Sequence, residues 1–261
     1  GVKIPPLRIA FAESDDAAAT GGWQISAFDA PLVTAQLEGD DVAALQTAAE
    51  QALQRQVSLF LGLQEVTDML NWLGDTYPEV VKEAVRAVPT GTIAEVFRAL
   101  ADEGVSLRNL RDIVEAIAEA GQNERQAMPI AERVRVAMRR HIAAALTEGG
   151  RLRVVMVGAQ LETAIRGTLT PVNEQMRLAI DPLQMQALTR LIREEVMVSG
   201  AVALLTAQDL RRPLRLIVAG DMFDLPVISF NELAPTIPLD VVGELKLLSE
   251  FAIAPLLEAA E

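Results

Sequence analysis

Cysteine is absent from the 261 residues. That excludes disulfides, thiolate zinc sites and cysteine nucleophiles, and it says little about compartment. Aromatic residues make up only 4% of a chain that is 51% hydrophobic, so the core is aliphatic and nucleic-acid bases would find few rings to stack on. Lysine and arginine number 23 against 36 aspartates and glutamates, a net charge of −13. This argues against general phosphate-backbone binding, which rests on clustered cations, and leaves room for a local basic patch. No run reaches the ~18 apolar residues of a membrane span. The longest candidate, VMVSGAVALLTA at 196–207, is too short and contains Gly200.

What is present is a folded, alanine-rich chain with clear punctuation. The opening GVKIPPLRI reads as an abrupt strand-like start and not as a secretory signal, so a piece of something longer is expected. Strand character extends over 2–11 and 23–33, with AESDDAAATGG between them as a loop. Asp41 then caps a helix whose face carries Val42, Leu45, Ala49, Leu53, Val57 and Phe60. Short helices follow over 63–73, over PEVVKEAVRAV from Pro78, and over a segment in which Thr92 and Glu95 match a capping box. Gly104 supplies a left-handed stop. Ser106 caps the next helix, with Val105 and Leu110 spaced as a hydrophobic staple and Gly121 at its end. Pro129 starts another helix to about Leu146, and Gly149-Gly150 marks a boundary.

From there strands and helices alternate. Strands are expected at 152–157, 176–180, 200–206 and, last, 225–230. Helices are expected at 159–166, from Asp181 as cap, and over 207–218, where Pro213 implies a kink or an early end. The fold class is α/β with several subdomains. A partial N-terminal α/β piece covers 1–59, a helical middle subdomain 60–148 and a C-terminal α/β subdomain 149–243. A tail at 244–261 reads as a short helix interrupted by Pro255.

Catalytic chemistry finds little support. His141, the single histidine, borders an apolar face and reads as structural, with no further metal ligands near it in sequence. The carboxylate pairs Asp15-Asp16, Asp40-Asp41 and Glu194-Glu195 read as solvated surface. VVMVGAQLETAIRG follows a strand and opens a helix, as a nucleotide loop would. It has one glycine at the turn, where a dinucleotide fingerprint needs three and a P-loop needs a Gly-Lys-Ser/Thr end. A small-ligand or nucleotide-binding module around 152–166 is the second reading of function, and no cofactor is expected.

Cations offer a further signal. RVRVAMRR places Arg133, Arg140 and potentially Arg139 on an exposed face, and DLRRPLR adds Arg211, Arg212 and Arg215. Pairing with the excess of acids inside the chain is one reading, and an electrostatic contact surface between subunits or with a protein partner is the other. Arg108 and Arg111 stand near the start of a predicted helix, where the dipole disfavours cations by roughly 0.3–1 kcal/mol each. Asp112 and Glu115 lie four residues after them, in the weaker base-before-acid order. A carboxylate outside the helix is therefore expected to hold at least one of them. The candidate subunit or subdomain contacts are Arg108, Asn109, Arg111, Arg133, Arg140, Arg211, Arg212 and Arg215.

FLGLQEVTDMLNWLGDTYPEVVKEAV, IAEVFRALADEGVSLRNLRDIVEAIAEAG, AERVRVAMRRHI and LPVISFNEL together resemble one family over about 42–243. It is the large export-gate protein of type III secretion, and the chain resembles its cytoplasmic domain, closer to the injectisome than to the flagellar branch. The resemblance implies a non-enzymatic domain of four subdomains that assembles into a nine-membered ring on the cytoplasmic face of the bacterial inner membrane. It implies reception of chaperone–substrate complexes, ordering of their export, and contacts with a gatekeeper, the stalk of the export ATPase and the switch protein. Membrane attachment would come through a segment absent from this chain. Two departures stand out. The family's first cytoplasmic strand and helix should precede GVKIPPLRI. The stretch from Leu37 to Asp41 is much shorter than the family pattern, so the inserted second subdomain is expected to be reduced or missing.

Overall fold

A computed structural model describes residues 22–28, 30–36, 42–147, 149–172 and 175–247. The expected strand at 2–11, most of the loop after it, the Asp41 cap, the Asp15-Asp16 and Asp40-Asp41 pairs and the tail helix beyond 247 lie outside the described residues. The chain divides after Arg135 into two compact units.

The first unit opens with an antiparallel hairpin of β1 (Gly22–Ala27) and β2 (Ala30–Gln36), irregular between Ile25 and Ser26. α1 (Val42–Arg55) stops before a 3-10 turn at Val57–Phe60 instead of running through it. α2 (Leu63–Gly74) buries Val66, Leu70 and Leu73, the stripe its spacing predicts. α3 (Pro78–Ala87) begins on its proline. α4 (Thr90–Asp102) buries Ile93, Val96, Phe97 and Leu100. It starts three residues earlier than the capping-box reading, because the Pro89 carbonyl already accepts from the Ile93 amide at 3.0 Å. Thr92 is thus inside the helix and not its cap.

Gly104 ends α4 in the left-handed region, with φ of 71°. The Val105 amide returns to the Leu100 carbonyl and the Gly104 amide to that of Ala101, both at 2.9 Å. This is the paired bonding of a Schellman stop. α5 (Leu110–Ala120) begins later than predicted. Ser106 to Arg108 form a turn in which the Ser106 hydroxyl accepts from the Arg108 amide at 3.4 Å. Ser106 therefore does not cap the helix, and Val105 does not hold the staple position. Gly121 follows with φ of −65°, so freedom at φ is not the reason for it. A Cβ there would meet the Val88 side chain, with Ala87 Cβ at 3.2 Å, so the glycine lets α3 and α5 pack closely.

The single helix predicted from Pro129 is two, α6 (Ala127–Ala137) and α7 (Arg139–Ala145). Met138 breaks them at ψ of 6°, with its own side chain 1% exposed. The break shifts the helical phase and leaves His141 exposed, not beside the apolar face.

The second unit carries α7, β3 (Leu152–Val157), α8 (Ala159–Gly167), a small antiparallel hairpin of β4 (Leu169–Val172) and β5 (Gln175–Leu178), and α9 (Pro182–Ser199). β6 (Ala203–Thr206), α10 (Gln208–Asp221), β7 (Val227–Ser229) and β8 (Leu239–Leu245) follow. The main sheet runs β7-β6-β3-β8, all parallel. β7 is not the last strand: Gly243 and the charged Asp240 and Glu244 mask β8 in the sequence, yet it pairs along β3. Asp181 and Gln184 complete the predicted cap of α9 as a reciprocal capping box. α10 neither stops nor starts at Pro213. The donor that proline lacks would have served Asp209, in the first turn, so the loss falls near the helix end. Val155, Leu161, Leu188, Leu204, Leu214 and Val227 belong to one aliphatic core, as the scarcity of aromatics requires.

Candidate interaction surface

In the first unit, three arginines lock the helices from within. Arg98 Nε donates to the Leu61 carbonyl at 2.8 Å, and Arg125 Nη1 to the last-turn carbonyl of Ala87 at 2.7 Å. Arg135, 3% exposed, pairs through Nη1 with Glu103 Oε2 at 3.1 Å. These cations are structural, and the surface must be sought among the others.

Arg111 is the second residue of α5, where the helix dipole opposes it. Its Nε donates to Glu115 Oε1 at 3.0 Å, and its Cζ lies 4.8 Å from the Tyr77 ring centroid. Hydrogen bonding and Coulomb attraction from Glu115, with help from Tyr77, raise the guanidinium pKa above its ordinary value. The dipole is thus answered within the unit. Arg108 lies before the helix and not in it, which removes part of the electrostatic conflict. Its expected partner Asp112 is taken by Asn109, whose Nδ2 donates to Asp112 Oδ2 at 2.6 Å. The exposed Arg108 side chain has no partner among the described residues.

Arg133, Arg139 and Arg140 are likewise exposed and without a partner among the described residues. The DLRRPLR group behaves differently. Arg211 is 0% and Arg215 6% exposed, so their expected role as subunit or subdomain contacts is corrected: both act inside their own α/β subdomain. Positions i and i+4 of α10 both turn inward. Arg211 Nη1 donates to the Val227 carbonyl at 3.3 Å, while Arg215 Nη1 reaches the carbonyls of Phe223 at 2.9 Å and Leu225 at 3.1 Å. They hold the β7 approach. Arg212 is half-buried. The SFNE motif does similar work: buried Glu232 accepts from the Ser229 amide at 2.7 Å and closes a capping box over the turn after β7.

The turn after β3 does not form a phosphate cradle. The Gly158 amide donates to the Leu245 carbonyl at 2.9 Å. A Cβ there would stand 2.7 Å from that carbonyl oxygen and 2.8 Å from Glu244 Oε1. The glycine serves the close approach of β8. Glu162 fills the first turn of α8 with a carboxylate that accepts from Thr206 Oγ at 2.9 Å and the Ala207 amide at 2.7 Å. Among the described residues no group of three or more His, Cys, Asp or Glu could hold a metal ion. No helix among them is long and apolar enough to cross a membrane.

One surface residue went unnoticed in the sequence. Trp72 is 69% exposed on α2, although Leu70 and Leu73 beside it are buried. The helical period that buries those leucines places position 72 outward, so the signal was available.

A sequence profile described as the FHIPEP family matches residues 34–238. The chain is 33% identical over 194 residues to the invasion protein InvA of Salmonella typhimurium, covering 73% of this chain and 28% of InvA. It is 34% identical over 201 residues to the hypersensitivity response secretion protein HrcV of Ralstonia nicotianae, covering 75% and 29%. The chain thus spans under a third of these relatives' length. Among solved structures, the Shigella flexneri MxiA protein aligns with a TM-score of 0.72 at 26% identity, covering 82% of this chain and 72% of that one. The Chlamydia pneumoniae CdsV in complex with CdsO aligns at 0.70 and 27%, covering 79% and 65%. The nonameric EscV cytosolic domain of a type III secretion system aligns at 0.69 and 26%, covering 81% and 63%.

Proposed function

Since this chain belongs to the FHIPEP family, we propose that it is the ring-forming cytoplasmic part of a type III secretion export gate. In this reading it acts without catalysis. It receives chaperone–substrate complexes at the cytoplasmic face of the inner membrane, helps order their export, and is tethered through a segment outside these residues. The observation that carries the reading is the shared fold: family resemblance and backbone similarity extend together over most of the chain, to relatives that include a nonameric cytosolic domain. The complex of CdsV with CdsO supports a second contact, with a component of the secretion apparatus. A gatekeeper, the export ATPase stalk and the switch protein complete the proposed partners.

The chemistry of the surface is consistent with an assembly module. Most described cations are engaged inside their own unit, and a few exposed arginines are left over in an acidic chain. Such charges set register and approach between subunits more than they add affinity. Sedimentation velocity of the 261-residue chain over a concentration series, with electron microscopy of the heaviest species, tests the ring. Closed oligomers are expected, and a monomer at every concentration contradicts it.

A further inference from the structure

Trp72 is one of two tryptophans in a chain with little aromatic content, and it is 69% exposed. Exposed rings of this size are unusual away from contacts, and tryptophan is enriched where partners bind. Its surroundings are anionic. On α2, Asp68 lies one turn before it and Asp75 one turn after it, both exposed. Asp68 accepts one bond, from Gln64 Nε2 at 2.8 Å, which leaves its charge uncompensated. Asp75 caps the C-terminal end of the helix, where the dipole adds further negative potential. Among the described residues no cation stands over the Trp72 ring, whereas Arg111 covers Tyr77 and Arg215 covers Phe223. An indole face between two carboxylates at a negative helix end selects a guanidinium: charge pairs at the rim and cation–π attraction at the centre.

The same chain carries the matching group. Arg133, Arg135, Arg139, Arg140, Arg151 and Arg153 stand in a stretch with one carboxylate, Glu148, against a chain that is acidic overall. Arg139 and Arg140 open α7 side by side, both exposed and both without a partner among the described residues. We propose that the Trp72 site, with Asp68 and Asp75, receives the Arg139–Arg140 pair of a second copy of this chain. The two patches differ, so the contact is head-to-tail, and a contact of that kind propagates into a ring when its rotation closes. The proposal rests on the ring reading above and names the surface that would build it.

The test uses the full 261-residue chain. In a Trp23→Phe background, Trp72 is the single tryptophan, and its selectively excited fluorescence shifts to the blue as concentration rises and the ring is covered. Trp72→Ala weakens association roughly tenfold, in line with a desolvated cation–π contact, with an unchanged melting temperature because the ring is exposed. Asp68→Arg with Asp75→Arg abolishes association, as does Arg139→Asp with Arg140→Asp. Both reversals in one chain recover part of it, through the rim charge pairs and without the cation–π contact, which a folding defect could not do. If the wild type assembles and Trp72→Ala and the single-patch reversals assemble equally well, the proposal is overturned while the ring reading stands. If both reversals together assemble no better than either one alone, the pairing of these two patches is wrong. A wild type that never associates removes both the contact and the ring.

Discussion

The amide of Gly158 donates to the carbonyl of Leu245 at 2.9 Å, joining the turn after β3 to the end of β8. A single-glycine turn between a strand and a helix invites a phosphate, and here the protein's own last described strand takes that place. A Gly158→Ala change keeps an allowed backbone, with φ of −67°. It would still force a methyl within 2.7 Å of the Leu245 oxygen. A loss of roughly 1–3 kcal/mol is expected in urea unfolding, the scale of overpacking. Nucleotides should leave the melting temperature of the wild type unmoved, since a ligand of the folded state would raise it.

Arg135 and Glu103 form a buried ion pair, at 3.1 Å with side chains 4% and 17% exposed. Removing one partner takes a short ion pair from the other in a largely buried setting. Arg135→Ala and Glu103→Ala are each expected to cost about 3 kcal/mol, with the double variant losing clearly less than the sum. Additive losses in the double-mutant cycle would mean the two residues do not act as a pair.

Asp209 gives a pH signature. Arg166 approaches it twice, Nε at 2.5 Å and Nη2 at 3.1 Å. Chiefly through this hydrogen bonding, against the desolvation that would raise it, the carboxyl is held below its ordinary value of 3.8. A depressed folded pKa means the stabilisation is present above the unfolded value and is lost as pH falls through the folded one. Both side chains are nearly half exposed, so the contribution is at most about 1 kcal/mol. Asp209→Asn should lower stability at neutral pH and flatten its decline below about pH 4. Parallel melting-versus-pH curves for variant and wild type would contradict this.

Arg108 and Arg111 looked equivalent in the sequence and separate in the structure. Arg111 is engaged by Glu115 and Tyr77, so Arg111→Glu should lower the melting temperature slightly. Arg108 has no partner among the described residues, so Arg108→Glu should leave melting unchanged and weaken association between copies. Light scattering beside thermal unfolding reads both. The reverse pattern would assign the intersubunit role to Arg111.

Much of this was legible beforehand because helical periodicity is local. The stripes of α2, α4 and α5 follow directly from apolar spacing, and Asp181 and Gln184 announce their cap. Part of what escaped was local competition, and part depended on distant chain. Thr92 has the right spacing for a cap, but the Pro89 carbonyl starts α4 first. The α6–α7 break at Met138 has no glycine or proline to mark it. β8 carries charges and a glycine, and only its pairing with β3 makes it a strand. At the surface, RVRVAMRR and DLRRPLR look alike as strings. α10 packs against β7, which turns Arg211 and Arg215 inward, and no sequence window contains that fact.

Ring closure is the proposed purpose of this chain. Cryo-electron microscopy of the purified 261-residue protein at high concentration and low salt tests it most directly. Closed rings of identical subunits, joined head to tail, are expected. A homogeneous monomer under those conditions, or open filaments with no closed species, would contradict it.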